Sequence, residues 1–413
     1  MKYLFRIELS ALGAGVIIGL SAGLLKWAIS TVSTLCTSGF RSGDGNPVML
    51  WVPVVGIVAA GLLVRYVFRR RLEHATEQLR VMISRKQESL SPLLAVEPLV
   101  ASTITLGCGG SAGSEGPIAF AGAAVGSNLG KWFGLSPQQV FVMMACGAGA
   151  GIAAIFKAPV GGVLFTVEVL GLSLDRDSLL LLVLMCVTSA LTCFAISGFT
   201  PDMAVCHPVG FEMTHLLPTI LLGCVCGIYS VYYLRTGMMT RRALESMRRE
   251  WVRWIVAGCV LALALFCFPA LYGEGYRLMD KVVNGDLAAV ADGVAFGAGH
   301  GLVPVFVGIL LVKSFACYAT NSGGGVAGDF APTLFAGCMA GALFALGADS
   351  MGLCQLPAGN FAVAGMAGVM AGVIRAPFMA IFLTIEMSFS SGLLLPVAIC
   401  SCVSYFVSKS IAA

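Results

Sequence analysis

Gly109-Gly110-Ser111-Ala112-Gly113-Ser114-Glu115-Gly116-Pro117 sets a single carboxylate among glycines in the middle of strongly apolar sequence. A second stretch, Gly324-Gly325-Val326-Ala327-Gly328-Asp329-Phe330-Ala331-Pro332, has the same spacing. The match runs on past the prolines: Phe120-Ala121-Gly122 and Gly126 answer to Phe335-Ala336-Gly337 and Gly341. Each stretch reads as a loop opening into a helix, with proline in the first turn. Such a start leaves backbone N–H groups without intrahelical partners and carries a positive partial charge of about half a unit. Both features suit an anion.

Of the 413 residues, 58% are apolar and 11% are charged, and the mean hydropathy is +0.91. A soluble domain carries roughly 25% charged residues, so the chain reads as an integral membrane protein. The 51 glycines and the alanine-rich runs point to closely packed helices. Extended alternation is not visible, which argues against a β-barrel. The fold class expected is an all-α polytopic membrane protein. Met1 to Leu9 carry Lys2, Arg6 and Glu8 and lead into apolar sequence with no convincing cleavage site, as a first membrane helix would. The 15 cysteines lie mostly inside apolar runs and form no CxxC pair, so they read as small packing residues. His74, His207, His215 and His300 have no ligand spacing, and no metal or cofactor is expected.

Leu9–Leu35 and Val48–Phe68 read as spanning helices, each near the ~20 residues a bilayer needs. Two basic clusters follow apolar runs: Arg65, Arg69, Arg70, Arg71, Arg80, Arg85 and Lys86, then Arg235, Arg241, Arg242, Arg248, Arg249 and Arg253. The positive-inside bias assigns both to the cytoplasm. Topology explains them without nucleic-acid or lipid-headgroup binding. Long apolar runs include Leu179–Ile196, Leu216–Tyr233, Trp254–Leu271 and Leu302–Tyr318. Those around 93–108, 116–130, 138–156, 160–171, 329–347 and 361–374 are cut by Gly or Pro, so partly spanning segments facing a cavity are expected. Breaks fall at Pro98, Pro117, Pro137, Pro159, Pro332 and Pro377. Aqueous connectors are expected at Ser42–Pro47, Arg71–Ser91, Gly198–Gly210 and Tyr272–Asp292, with no soluble domain after the last apolar run.

A second pair of motifs repeats. Lys157-Ala158-Pro159 precedes Thr166-Val167-Glu168, and Arg375-Ala376-Pro377 precedes Thr384-Ile385-Glu386. One shift of 218 residues superposes them, together with Gly147 and Ala153 on Gly365 and Ala371. The glycine stretches need a shift of 215. Two blocks recurring in the same order indicate a duplicated transmembrane architecture. The residues alone leave parallel and inverted halves open; an inverted pair lets helix starts from both halves meet near the midplane.

Two glycine-rich helix starts aimed at one point would hold a dehydrated small anion, with dipole contributions of up to ~2 kcal/mol each. No Lys or Arg is needed in such a site, and a fixed cation would slow release. Glu115, ionisable at membrane depth, is a functional candidate by default: its carboxylate resembles an anion and can occupy the anion's place, leaving it when protonated. The alternative is a Glu that caps its own helix. Asp329 reads as a cap for the helix beginning at Phe330. Glu168 and Glu386 read as structural partners of loop N–H groups or of Lys157 and Arg375.

With these residues in place, the chain resembles the CLC family of chloride channels and chloride–proton antiporters. Gly113-Ser114-Glu115-Gly116-Pro117 is similar to the family's GxEGP motif, and Gly328-Asp329-Phe330-Ala331-Pro332 to its GxFxP motif; Gly147 to Glu168 follows the family's pattern after the gating motif. The resemblance covers nearly the whole chain. It implies a single transmembrane unit over 1–413, an inverted repeat of tilted and partly spanning helices with halves of about 1–200 and 210–413, and a homodimer with one pore per subunit. It implies Glu115 as the gating, proton-linked residue and an anion site at Gly113, Ser114, Gly116, Asp329 and Phe330. The transported ligand would be chloride, with other small anions and protons as further partners.

Three departures stand out. The family's GSGIP motif has no clear match; the corresponding region is Arg71–Gln78, with His74 and Thr76. The late tyrosine of the family's central site is not evident near Tyr405 and Ser408. Val169 follows Glu168 where well-coupled antiporters have a proton-accepting glutamate; channel members have valine there. The C-terminal CBS pair of many eukaryotic members is missing. The leading expectation is therefore a gated chloride channel of a bacterial inner membrane, with a chloride–proton antiporter as the alternative. Phe330 argues against a fluoride-selective exchanger. A membrane enzyme is not expected, since no nucleophile, metal set or cofactor loop accompanies Glu115 and Glu168.

Overall fold

The computed structural model describes residues 2–37, 48–69, 75–85, 90–172, 175–198, 203, 205, 210–295 and 301–412. Ser42–Pro47, Arg70, Arg71, His74 and Lys86 lie outside the described residues. The rest is helical, with no strand among the described residues and a single isolated β-bridge. The first series of helices is α1 (Lys2–Thr37), α2 (Val48–Leu62), α3 (Ala75–Ser84), α4 (Glu97–Gly107), α5 (Glu115–Trp132), α6 (Pro137–Phe156), α7 (Pro159–Leu164) and α8 (Arg176–Ile196). The second is α9 (Leu216–Glu245), α10 (Glu250–Cys267), α11 (Tyr276–Val283), α12 (Leu302–Ser322), α13 (Phe330–Ser350), α14 (Ala358–Ile374), α15 (Pro377–Ser388) and α16 (Leu394–Ala412). Among the described residues, nine helices are long and apolar enough to cross a membrane, and four apolar helices are shorter. The chain is a multi-pass membrane protein.

Helices pack in matching pairs. α5 lies along α6 as α13 lies along α14; α1 meets α8 as α9 meets α16; α6 meets α8 as α14 meets α16. Two pairs, α2 with α10 and α7 with α15, join the series to each other. The repeated glycines explain the closest crossings. Gly122 and Gly126 of α5 press on the carbonyls of Gly147 and Met143 of α6, and Gly337 and Gly341 of α13 press on those of Gly365 and Phe361 of α14. Any Cβ at these positions would collide with backbone. Between helices in lipid, such close approach of main chains supplies much of the association energy. Cys226 and Cys400 pack over Gly368 of α14 in the same manner, as small apolar groups.

All six expected proline breaks fall within the first or second turn of a helix: Pro98 in α4, Pro117 in α5, Pro137 in α6, Pro159 in α7, Pro332 in α13 and Pro377 in α15. There the missing N–H costs nothing, because it would have had no intrahelical partner. Two expectations are corrected. The runs at 138–156 and 329–347 are not interrupted: α6 and α13 are continuous helices of 20 and 21 residues, because their glycines serve helix crossings. Arg71–Ser91 and Tyr272–Asp292 are not plain connectors either, since they carry α3 and α11.

One residue of each basic cluster makes an ion pair between helices. Arg65, past the end of α2, pairs with Glu250 at the start of α10 at 3.0 Å, and Arg241 near the end of α9 pairs with Glu77 of α3 at 3.1 Å. The positive-inside bias expects these helix ends on the cytoplasmic side. α10 then leads away from the Arg65–Glu250 pair, so Cys267 and the turn that follows lie at its other end.

Candidate functional site: a paired helix start

Both glycine stretches fold by the same local rule. After α4 the chain reverses at Gly109, whose φ of 97° is left-handed, and Gly110 N–H returns to the Thr105 carbonyl at 2.8 Å. After α12 it reverses at Gly324, φ 110°, and Gly325 N–H returns to the Thr320 carbonyl at 3.1 Å. Only glycine takes such a φ without strain. The reversals then exchange bonds. Ser111 N–H donates to Thr320 Oγ1 at 3.1 Å, and Val326 N–H donates to Thr105 Oγ1 at 3.1 Å. One step further, Gly113 and Gly328 pair as an antiparallel bridge. The starts of α5 and α13 are thereby held side by side, at the centre of the protein, with their N–H groups converging.

Glu115 is the first residue of α5 and is fully buried. It does not cap its own helix. Its Oε1 accepts the Ala331 N–H in the first turn of α13, and its Oε2 has no hydrogen-bond partner among the described residues. A Cβ at Gly113 would overlap this carboxylate, and one at Gly328 would press on Gly116 N at 2.7 Å. The glycines around the acid are therefore required by the space the acid fills.

The expected ligand amides divide. Gly113 N–H donates to the Gly328 carbonyl at 3.0 Å. Ser114 N–H and Oγ both donate to Glu274 Oε1, at 2.9 and 2.5 Å. Gly113 and Ser114, expected at the anion site, thus have protein acceptors in this structure. Gly116, Asp329 and Phe330 stand at the two helix starts, with Phe330 buried edge-on against Phe165 at 5.7 Å between ring centres. Asp329 occupies the N-cap position of α13, but its side chain does not cap the helix. It accepts from Asn321 Nδ2 at 2.5 Å and from Cys317 Sγ at 3.4 Å. The turn that brings Gly328 to Gly113 aims the Asp329 carboxylate back at α12.

Two charged residues here escaped the sequence reading. Lys313 of α12 is buried; its Nζ donates to Ser111 Oγ at 2.9 Å, stands 4.7 Å from the centre of the Phe335 ring, and lies within electrostatic reach of Glu115. The sequence reading needed no Lys or Arg in the site; the structure sets this lysine beside it, on Ser111. Its signal was visible, since Lys313 is the one charged residue in the run Leu302–Tyr318. Glu274 lies between Gly273 and Gly275, a glycine-flanked acid like Glu115, in a stretch read as a connector.

Glu168 and Glu386 bind loop N–H groups, each in the opposite series. Glu386 accepts from Val160 and Gly161 N–H at 3.1 and 2.8 Å; Glu168 accepts from Phe378 and Met379 N–H at 3.4 and 2.8 Å. Each carboxylate caps the other's short helix. Of the family's central-site region, Thr76 lies in the first turn of α3. Ser408 donates to the Gly372 carbonyl at 3.0 Å, and the Tyr405 ring meets Phe406 edge-on.

The arrangement is a doubled helix start with the Glu115 carboxylate seated on it. Known proteins share this fold. The chain is similar to an H(+)/Cl(-) exchange transporter ClcA of Vibrio vulnificus, 28% identical over 402 residues that cover 94% of this chain and 83% of the relative. It is also 27% identical over 365 residues to a ClcB-like chloride channel protein of Ralstonia nicotianae, covering 87% and 81%. The crystal structure of a slow cyanobacterial Cl-/H+ antiporter superposes with a TM-score of 0.82 at 21% identity, over 98% of this chain and 95% of that one. The family model described as voltage gated chloride channel matches residues 56–409, and on that match, with the fold and motifs in agreement, this chain belongs to the CLC family.

Proposed function

We propose that the protein exchanges chloride for protons across the membrane, the reading given above as the alternative to a channel. The observation that carries it is the seat of Glu115: a buried carboxylate from α5 sits on the Ala331 N–H of α13, where a mobile anion would sit. A group that resembles the ion when charged, and loses its hold when protonated, links the two species at one place. The name of the Vibrio vulnificus relative supports coupled exchange. Gly116, Asp329 and Phe330 supply the anion's surroundings, Gly113 and Ser114 shape them, and Lys313 contributes the positive field.

On this reading the protein is a transporter and not an enzyme. It needs no cofactor, works as a homodimer in a bacterial inner membrane, and forms one transmembrane unit of two halves, about 1–200 and 210–413. Uncoupled chloride conduction is the second reading. Val169, next to the α7-side carboxylate Glu168, favours it, because no acid stands there to receive a proton.

Chloride efflux and proton uptake from liposomes separate the two. Coupled exchange moves the reversal potential when a proton gradient is imposed, and Glu115→Gln abolishes that movement while chloride still flows. A reversal potential that follows chloride alone in the wild type establishes the channel reading instead.

A further inference from the structure

The structure assigns a second tethered carboxylate to the outer mouth: we propose that Glu274 holds the amide and hydroxyl of Ser114 in place of an anion, so that an anion arriving from that face must displace it. The inference rests on the anion-transport reading above and adds a residue to its path.

Three observations carry it. First, Glu274 Oε1 accepts two hydrogen bonds from one residue, Ser114 N–H at 2.9 Å and Ser114 Oγ at 2.5 Å. Ser114 is the residue before Glu115, so Glu274 stands on the start of α5 as Glu115 stands on the start of α13. Each helix start is met by a carboxylate from another element. Second, the turn that brings Glu274 there is built for close approach. Gly273 and Gly275 take left-handed φ values of 67° and 86°, and a Cβ at Gly275 would run into the Phe335 ring of α13. Tyr272 ties the same turn to the Gly109 reversal through its hydroxyl, which donates to the Gly107 carbonyl at 2.8 Å. Third, the turn follows α10 on the side away from the basic clusters, and Glu274 is half-buried while Glu115 beneath it is fully buried. With the basic helix ends in the cytoplasm, as the positive-inside bias expects, Glu274 is the acid met first from outside.

Its effect on an anion has a definite sign. A fixed negative charge at the mouth repels an approaching anion, and its two hydrogen bonds use donors the anion would otherwise take. Once the anion has passed, the carboxylate has no place in the later steps. Glu274 therefore weakens outer anion binding and leaves the maximal rate nearly unchanged. It is a positioning residue for Ser114, and it makes the two faces of the protein unequal.

The test is radioactive chloride uptake into right-side-out and inside-out membrane vesicles containing the full chain, with Glu274→Gln and Glu274→Ala beside the wild type. Glu274→Gln lowers the KM for outer chloride by about threefold and Glu274→Ala by about tenfold, sizes set by a partly screened charge within several ångströms. The maximal rate stays within about twofold, and KM at the inner face does not move. A purely structural role would change rate or yield at both faces equally, and that result overturns the proposal, as does an unchanged outer KM. If Glu274→Ala fails to fold, the near-isosteric Glu274→Gln decides alone. Wild type and Glu115→Gln run in parallel: absence of chloride transport in the wild type sinks both readings, whereas normal transport with an unmoved outer KM sinks only the role of Glu274.

Discussion

Gly113 and Gly328 donate to each other's carbonyls at 3.0 and 2.6 Å, and this bridge joins the two glycine turns at the centre of the protein. Around it the hydrogen bonds come in exchanged pairs: Ser111 with Thr320 and Val326 with Thr105, then Glu168 and Glu386 on each other's short helices. Exchange of equivalent bonds between equivalent residues is what an approximate two-fold axis between the repeats produces. The site lies on that axis.

Because a Cβ at Gly113 would overlap the Glu115 carboxylate, Gly113→Ala is expected to expel the acid from its seat. Proton coupling then falls toward that of Glu115→Gln, and the protein loses about 1–3 kcal/mol of stability through the strained bridge. Proton and chloride fluxes from the same liposomes, with thermal unfolding in detergent, check both parts. Retained coupling at wild-type stoichiometry contradicts the steric argument.

Lys313→Met keeps the length of the side chain and removes its charge. Chloride affinity is expected to drop by about tenfold, equivalent to about 1.4 kcal/mol. Isothermal titration of chloride into purified protein reads this directly, and an unchanged Kd would mean that Ser111 and Phe335 fully screen the ammonium.

Asp329→Asn acts in the opposite direction. The carboxylate beside the start of α13 opposes an anion there, and the amide can keep the Asn321 contact by accepting through its oxygen. Chloride binding tightens by roughly threefold. Weaker binding in the same titration would show that the Asp329 charge is needed to orient Asn321.

Glu168→Gln and Glu386→Gln should each destabilise the protein, since each removes a charged acceptor from two backbone N–H groups at a helix start. The expected loss is about 1–2 kcal/mol apiece. Chloride flux per folded protein stays near the wild-type value. A stable variant with collapsed flux would instead place that glutamate on the transport path.

Gly122→Val and Gly337→Val test the two equivalent helix crossings. Each puts a branched side chain where a carbonyl of the neighbouring helix now lies, and each is expected to lower stability by about 2–3 kcal/mol or to prevent folding. Yields of monodisperse protein after detergent extraction provide the comparison. Tolerance at one crossing and collapse at the other would break the equivalence of the two series.

Much of this was determined by the sequence. Composition decided the membrane, and the paired glycine motifs and the paired Pro-to-Glu motifs decided the repeat, because both depend on residue types that few other structures require. Glu115 stood out because an acid in an apolar run is costly. What the sequence left open was which partner each group takes. Glu115 reaches the amide of the other half's helix; Asp329 turns back to Asn321; Ser114 is held by Glu274 from a stretch read as a connector; Lys313 meets Ser111 across 202 residues. Such pairings depend on where an approximate two-fold axis sets distant segments, and local spacing carries no record of it. A residue type reports what a group can do; only the packing of the two halves decides which group stands across from it.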